Sequence, residues 1–262
     1  MNILKEKIKK KMRICGTHVH LSDPSICEIM GNVGFDYIWI DMEHTYIDYK
    51  TLFVHLNAAK AAGVPAVVRV PQDDLTATKK VLEMGVDGII FPMIKNAEQA
   101  NRLIGYTLYP PVGTRGFGPM RAIRYGLDDV NEYIHHSSLD ICRFIQIENI
   151  EAVDHLPEII QNTYIDGYIF GPYDLSGSVG ELGNITGEKT INLIKKSIEI
   201  LEPTGKAIGL STGDTDIRML KFWNDMGIHM ISAGVDYGYI LSGSMETLRK
   251  LREVQKTKGE GN

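Results

Sequence analysis

Eight short apolar segments alternate with segments of helical periodicity along the 262 residues of this chain. Several of the apolar segments are nearly unbroken, which is typical of parallel strands that are buried on both faces. Eight β-α units in a chain of this length predict an α/β fold, the (β/α)8 TIM barrel. The predicted strands are residues 13–17, 37–40, 65–70, 88–92, 142–147, 166–170, 207–210 and 229–232.

Capping and turn residues mark the ends of the intervening helices. Asp23-Pro24 predicts an N-cap followed by proline in the first turn, and Gly63 predicts a helix end. A long loop is expected between the sixth strand and the next helix. The predicted helices are residues 24–31, 48–62, 75–84, 97–107, 128–136, 151–161, 191–202, 216–226 and 244–256.

No linker and no repeat of solenoid period interrupts this pattern, which predicts a single domain over residues 1–262. Residues 1–12 are expected to form a short exposed helix or arm, and residues 257–262 a flexible tail. A doubly wound nucleotide-binding fold is the second choice, because neither a GxGxxG fingerprint nor a P-loop is present.

Composition narrows the class of partner. The chain is 44% hydrophobic and 23% charged with a net charge of −5, which argues against nucleic acid or an anionic membrane as the main partner. The three cysteines, Cys15, Cys27 and Cys142, form no CxxC pair and cannot all pair, which favours a reduced setting. With no signal peptide core and no run of 18 apolar residues, a soluble cytoplasmic protein is expected.

Polar residues collect where the predicted strands end. Gln146 and Glu148 stand two residues apart in the fifth strand, so both point to one face. The active site of a TIM barrel lies at the C-terminal ends of its strands, and the pattern therefore predicts a site on that rim. The residues at these ends are Asp41, Glu43, His44, Arg69, Pro92, Gln146, Glu148, Asp174, Ser211, Thr212 and Ser232.

Two of these residues are candidate metal ligands. Glu148 and Asp174 follow consecutive strands, so their carboxylates are expected to converge on a hard divalent cation such as Mg²⁺ or Mn²⁺. A Zn²⁺ site would more often use Cys or several His residues. The structural alternatives are an ion pair at a strand end for Glu148 and a turn or N-cap for Asp174.

Arg69 and His44 are candidate catalytic groups. Arg69 ends an apolar strand and predicts either an ion pair with Asp41 or Glu83, or a fork for a substrate carboxylate or an enolate oxygen. His44 lies three residues after Asp41, and Glu83 could approach it from the next helix, so His44 is a candidate base.

Three further residues receive structural interpretations. His18 and His20 lie near the end of the first strand and are expected to be structural or loop residues. Lys95 is the only candidate for an imine-forming lysine, but it opens a helix where solvation is expected. A metal mechanism is therefore favoured over an imine mechanism.

The ordered set of motifs resembles the metal-dependent (class II) pyruvate aldolases of the HpcH/HpaI type, over residues 13–252. Each motif alone is weakly specific, whereas the set in this order is specific. The motifs are Asp41-Met-Glu-His44, Val-Arg69-Val-Pro71, Phe91-Pro-Met93, Tyr109-Pro-Pro-x-Gly-x-Arg-Gly116, Gln146-Ile-Glu148 and Gly171-Pro-Tyr-Asp-Leu-Ser176.

The resemblance implies an activity and an assembly. It implies a TIM barrel that reversibly cleaves a 4-hydroxy-2-oxo acid to pyruvate and an aldehyde through a metal-stabilised enolate. The implied metal is Mg²⁺ or Mn²⁺, with Co²⁺ or Zn²⁺ as further options. The implied assembly is a homo-oligomer, a hexamer built as a trimer of dimers, in which the C-terminal helix is exchanged between partners.

The resemblance also implies residue roles. Glu148 and Asp174 would bind the metal, while Gln146 and the backbone around Pro172, Tyr173 and Asp174 would hold the substrate. His44 would be the base with Asp41 beside it, Arg69 would stabilise the enolate, and Glu83, where the family carries Asp, would make His44 more basic. His18, His20 and Tyr173 depart from the family pattern, which fits an altered aldehyde pocket or an altered reaction.

Three alternatives stay open at this point. The Gly-rich segments Ser211-Thr-Gly213 and Ala233-Gly234 fit a barrel that binds a phosphorylated ligand. A citrate-lyase-like enzyme acting on a thioester is the second, and a non-catalytic barrel that binds 2-oxo acids is the third. The sequence does not identify the aldehyde, the native metal, or the direction and pathway in the cell.

Overall fold

The computed structural model describes residues 2–256, and the predicted tail, residues 257–262, lies outside the described residues. Eight parallel strands form a closed barrel in which each strand pairs with its neighbours in sequence and β8 pairs with β1. The prediction of a (β/α)8 barrel is therefore confirmed. The strands are β1 (Ile14–Val19), β2 (Tyr37–Asp41), β3 (Ala66–Arg69), β4 (Gly88–Phe91), β5 (Cys142–Ile147), β6 (Gly167–Phe170), β7 (Ala207–Thr212) and β8 (Met230–Val235).

Twelve α-helices are found among the described residues, and short 3-10 segments lie at Arg121–Gly126, Ser137–Asp140 and Glu202–Thr204. Side-chain N-caps begin several helices, as at Asp48 and Asp74. The helices are α1 (Ile3–Lys9), α2 (Ser25–Val33), α3 (Tyr49–Ala61), α4 (Leu75–Glu83), α5 (Ala97–Gly105), α6 (Val130–His135), α7 (Ile150–Asp154), α8 (Leu156–Ile159), α9 (Pro172–Ser178), α10 (Glu188–Leu201), α11 (Ile217–Asp225) and α12 (Asp236–Lys256).

The inside of the barrel is filled by side chains from alternate strand positions, among them the fully buried Trp39 and Phe144. Helix α1 contributes Leu4 and Ile8 to this same cluster, and both are buried. The prediction that residues 1–12 form an exposed arm is wrong for these two positions, because their apolar side chains join the cluster inside the barrel. Lys5 between them is also partly buried, and its Nζ donates to the carbonyl oxygen of Leu139 at 2.7 Å. A second, larger apolar cluster fills the space between the strands and the outer helices.

Three predicted elements differ from the observed ones. The predicted helix 151–161 is divided into α7 and α8 at His155, since Pro157 in the first turn of α8 cannot continue an α-helical hydrogen-bond ladder. The loop expected after β6 begins instead as helix α9, with Pro172 at its first position. Helix α12 starts at Asp236, directly after β8, and so is eight residues longer than predicted at its N-terminal end.

No helix among residues 2–256 combines the length and the apolar character needed to cross a membrane.

Candidate active site

A cleft of about 270 Å³ opens at the C-terminal ends of the strands. The rim predicted from the strand ends is therefore a real concavity, with buried side chains in its floor and exposed ones at its mouth. The predicted residues that line it are His44, Arg69, Gln146, Glu148, Pro172, Tyr173, Asp174, Ser211 and Thr212.

A continuous chain of hydrogen bonds crosses the cleft floor from Asp41 through Arg69 and Gln146 to Glu148. Arg69 donates from Nε to Asp41 Oδ1 at 3.0 Å and from Nη2 to Oδ2 at 2.5 Å. Its Nη1 donates to Gln146 Oε1 at 3.3 Å, and Gln146 Nε2 donates to Glu148 Oε1 at 2.6 Å. This floor chain, as we call these four side chains, fixes the guanidinium and the Glu148 carboxylate in one orientation.

The Arg69 fork is charged and tightly held. Burial alone would lower the pKa of Arg69, but the hydrogen bonds and charge of Asp41, together with the charge of Glu43, raise it. Burial would likewise raise the pKa of Asp41, and the Arg69 guanidinium holds it below its ordinary value. The Arg69 guanidinium also lies 5.3 Å from the centroid of the Trp39 ring. The predicted pair of Arg69 with Asp41 is thus present, and the pair with Glu83 is replaced by one with Glu43 at 3.3 Å.

Glu148 is a buried carboxylate, with only 3% of its surface exposed. Burial, reinforced by the charges of Asp174 and Glu43, raises its pKa to about 7. The backbone N–H of Met93, which adopts a left-handed conformation with φ of 55°, donates to Oε2 at 3.0 Å. A Cβ at Gly171 would lie 2.5 Å from Oε1, so only glycine leaves that oxygen room.

Asp174 lies exposed in the first turn of α9, on the same cleft. Its charge contributes to the raised pKa of both Glu148 and Glu43. Glu43 is itself half-buried, and burial is the main cause of its raised pKa. With Asp41, four carboxyl groups thus lie around the single guanidinium of Arg69, which leaves an excess of negative charge.

This donor set fits a hard divalent cation. The groups near Glu148 are oxygen donors, burial and mutual repulsion raise the pKa values of Glu148 and Glu43, and Gly171 leaves room beside one Glu148 oxygen. No cluster of three or more His, Cys, Asp or Glu side chains able to hold a metal is found within residues 2–256. A metal at Glu148 and Asp174 would therefore have two protein ligands and complete its shell with substrate oxygens and water.

His44 stands at the mouth of the cleft, with 64% of its side chain exposed. Asp41 Oδ1 accepts the backbone N–H groups of Glu43 at 2.9 Å and of His44 at 3.4 Å, so Asp41 shapes the turn that carries His44. The ring itself lies nearest to Glu43, with Nε2 3.6 Å from Oε2. The carboxylate beside the imidazole within the chain is thus Glu43 rather than Asp41.

Glu83 lies away from the rim, which corrects its predicted place beside His44 within the chain. A barrel helix runs back along its strand, so the C-terminal end of α4 lies at the opposite end of the barrel from the active site. There Glu83 Oε1 accepts a hydrogen bond of 3.0 Å from Arg115 Nη2. Arg115 also donates to Tyr133 and lies 4.6 Å from the Tyr109 ring centroid, which makes Glu83 part of a buried structural cluster.

The structure adds residues that sequence reasoning left out of the site. His18 and His20, interpreted as structural, both line the cleft together with Ser211 and Tyr237. His20 Nε2 lies 3.5 Å from Asp41 Oδ2, and the His20 ring is 5.7 Å from that of Tyr237. The sequence signal that could have placed His18 and His20 in the site was their position at the end of β1, because the ends of the other strands had been assigned to the rim.

Lys95 lies exposed after β4 and pairs with Glu151 at 3.3 Å. Its predicted solvation is confirmed, which leaves the cleft without the buried lysine that an imine mechanism requires among the described residues.

Comparison with known proteins gives consistent matches. The family model of "HpcH/HpaI aldolase/citrate lyase" matches residues 15–242. The hydroxypyruvate/pyruvate aldolase of Pseudomonas aeruginosa is 30% identical over 97% of this chain and 91% of that protein. The 4-hydroxy-2-oxovalerate aldolase of Novosphingobium aromaticivorans is 31% identical over 97% of this chain and 95% of its own length. The crystal structure of a family member from Burkholderia cenocepacia superposes with a TM-score of 0.89 at 27% identity, covering 96% of this chain and all of that one.

Proposed function

The chain belongs to the HpcH/HpaI aldolase/citrate lyase family and is a carbon–carbon lyase, and from its cleft we infer a metal-dependent aldolase that joins and separates a 2-oxo acid and an aldehyde. The names of the relatives make pyruvate and hydroxypyruvate the candidate oxo acids, and 4-hydroxy-2-oxo acids the candidate cleavage substrates. The floor chain is the observation that carries this proposal, because it holds a cationic fork and a buried carboxylate on one cleft.

Arg69 is proposed to stabilise the enolate oxygen that develops when the carbon–carbon bond breaks. Its Nε and Nη2 are occupied by Asp41, so the guanidinium cannot rotate, and the Nη1 edge, which also lies 3.3 Å from Glu43 Oε2, faces Gln146 and the cleft. A donor that is already oriented stabilises developing charge without reorganisation at the moment of reaction. Gln146 is proposed to contact the bound oxo acid beside this edge, and the backbone of Pro172, Tyr173 and Asp174 to hold its carboxylate.

Glu148 and Asp174 are proposed to hold the divalent metal. When bound, such an ion would polarise the keto group of the substrate as a Lewis acid. Mg²⁺ and Mn²⁺ suit an all-oxygen set with two carboxylates better than Zn²⁺ does, and Co²⁺ remains chemically compatible.

His44 is proposed to take the proton from the C4 hydroxyl in the cleavage direction and to return it in the addition direction. It stands at the open mouth, where the aldehyde half enters, and Glu43 lies close enough to orient the ring. Asp41 contributes by holding both the His44 turn and the Arg69 fork.

A homo-oligomer is proposed from the exposed surface of α12, and the hexamer, a trimer of dimers, is the form that the family resemblance implies. This helix exposes a series of large apolar side chains, and an exposed apolar helix face of this length is typical of a subunit contact. The residues are Ile240, Leu241, Met245, Leu248 and Leu251. In such an assembly Glu83 of one subunit could approach the cleft of another, which would restore the role expected for it. Native mass spectrometry of the wild type and of a Leu248→Glu, Leu251→Glu variant tests this: the wild type should assemble, and a monomeric wild type excludes it.

The proposal is tested by an aldol assay with pyruvate and a panel of aldehydes. The enzyme is first stripped with EDTA and then supplied separately with Mg²⁺, Mn²⁺, Co²⁺ or Zn²⁺. Addition that disappears with EDTA and returns with a divalent metal is the expected result. Binding of oxalate or pyruvate in calorimetry without turnover of any aldehyde would instead indicate a non-catalytic barrel, and acceptance of CoA esters a citrate-lyase-like activity.

A further inference from the structure

His18 and Ser211 form a hydrogen-bonded pair on the inner wall of the cleft. His18 Nε2 lies 2.9 Å from Ser211 Oγ, and His18 Nδ1 lies 2.7 Å from the carbonyl oxygen of Gly234. His18 is only 6% exposed, whereas Ser211 is half-buried and lines the cleft. The proposed function gives this pair no role.

The Gly234 carbonyl determines which nitrogen of His18 carries the proton. A carbonyl oxygen can only accept, so Nδ1 must be the donor. Burial lowers the pKa of His18 to about 4, so the ring is neutral at physiological pH and carries one proton. Nε2 therefore bears a lone pair and accepts from Ser211.

The orientation of His18 in turn determines what Ser211 offers to the cleft. Its only hydroxyl proton is directed at His18 Nε2, so the two lone pairs of Oγ are what remain. Ser211 is thus held as a hydrogen-bond acceptor. A substrate atom that approaches it must be a donor to form a bond.

The place of the pair in the barrel indicates which half of the substrate meets it. In a closed barrel of eight strands, β1 lies opposite β5 and β7 lies opposite β3. His18 and Ser211 therefore face Glu148 and Arg69 across the cleft. Under the proposed function the oxo acid would lie between these two walls, beside Glu148 and Arg69, and the aldehyde half nearer the exposed His44 and Tyr173.

We propose that Ser211, held by His18, accepts a hydrogen bond from a hydroxyl on C3 of the 2-oxo acid and makes the enzyme prefer 3-hydroxy-2-oxo acids over pyruvate as the nucleophile. This inference rests on the proposed aldolase function. The addition removes one C3 proton, forms the bond from C3 to the aldehyde carbon and places a proton on the aldehyde oxygen, so no oxidant or reductant is needed. The difference between His18 and the family pattern would then affect which oxo acid binds, and not the aldehyde pocket.

A fixed hydrogen-bond acceptor in the cleft discriminates between oxo acids with and without a hydroxyl on C3. With pyruvate the Ser211 lone pairs would face a methyl group, and a site that pairs with a substrate hydroxyl disfavours the analogue that lacks it. Loss of one such hydrogen bond is expected to change the preference by roughly tenfold.

The test compares hydroxypyruvate and pyruvate as nucleophiles toward the same aldehyde, with the metal-loaded enzyme. The readout is the ratio of the two kcat/KM values for the wild type, Ser211→Ala, His18→Leu and His18→Gln. Ser211→Ala should lower the ratio by about tenfold. His18→Leu should lower it less, since the freed hydroxyl loses its fixed orientation but can still bond a C3 hydroxyl, and His18→Gln, which carries both a donor and an acceptor, should restore part of it.

The outcomes separate this inference from the proposed function. A wild type that adds neither oxo acid to any aldehyde refutes the aldolase function itself. A wild type that adds both, with a ratio that Ser211→Ala changes by less than about threefold, refutes only the role of Ser211. A ratio that depends on a hydroxyl in the aldehyde, measured with glycolaldehyde against acetaldehyde, also overturns it. His18→Leu tests the same hydrogen bond, so the inference can still be refuted if the Ser211→Ala protein does not fold.

Discussion

Replacing Glu148 by glutamine should change how the stability of the metal-free protein depends on pH. Ionised Glu148 is unfavourable in the fold, because burial raises its pKa from the ordinary 4.5 to about 7. A raised carboxyl pKa adds stability below its unfolded value, and this stability is lost as the pH rises through the folded value. Between about pH 5 and pH 8 the wild type should therefore lose roughly 2.5 kcal/mol from this group.

The Glu148→Gln variant removes that loss without changing the hydrogen-bond pattern of the neutral state. Met93 N–H and Gln146 Nε2 both donate to Glu148, and a protonated carboxyl and an amide each keep one carbonyl oxygen that accepts and present an O–H or N–H group in place of the second oxygen. The variant should thus match the wild type near pH 5 and exceed its unfolding free energy by roughly 2.5 kcal/mol near pH 8.

Urea unfolding in EDTA, followed by circular dichroism across this pH range, measures the difference. Added Mn²⁺ should then stabilise the wild type at pH 8 and leave the variant unchanged, since binding to the folded state alone raises stability. Parallel pH profiles for the two metal-free proteins would refute the reasoning, because they would mean that Glu148 is not an unfavourably buried charge.

Three further substitutions test single contacts of the cleft. Arg69→Lys keeps the charge but loses the fork shared by Asp41 and Gln146, so kcat/KM for pyruvate release should fall roughly 100-fold. The control Arg218→Lys, on the exposed surface of α11, should leave kcat/KM unchanged. Equal effects of the two substitutions would contradict the role of the fork. His44→Ala should lower kcat by about 100-fold or more with metal affinity retained in calorimetry, and a loss of metal binding instead would show that His44 acts elsewhere. Gly171→Ala places a methyl group 2.5 Å from Glu148 Oε1 and should weaken Mn²⁺ binding in the same titration; unchanged affinity would mean that this oxygen is not the one that binds metal.

The barrel was predictable because its signals are local and periodic. Apolar strand runs, N-caps such as Asp48 and glycine helix ends such as Gly63 each act within a few residues. Gln146 and Glu148 were assigned to one face by the two-residue period of a strand, and their hydrogen bond of 2.6 Å confirms that geometry.

Contacts between distant segments were not predictable in this way. The proximity of Glu83 to His44 was inferred from neighbouring positions in the sequence, but the end of α4 lies at the other end of the barrel, and Arg115, 32 residues later, takes the carboxylate. His18 was interpreted as structural because its partners, Ser211 and Gly234, lie about 200 residues away in sequence and meet it only when β8 closes on β1. The contacts of His18 with Ser211 and Gly234 therefore depend on closure of the barrel, which no local sequence pattern encodes.

Release of pyruvate should depend on a metal ion held by Glu148 and Asp174. The most direct measurement is release of pyruvate from 4-hydroxy-2-oxovalerate, coupled to lactate dehydrogenase, as EDTA-stripped enzyme is titrated with Mn²⁺. The wild type should be inactive without metal and saturate as metal is added, whereas Glu148→Ala and Asp174→Ala should show little release at any Mn²⁺ concentration. A purified, folded Glu148→Ala protein that retained metal-dependent pyruvate release would contradict the account.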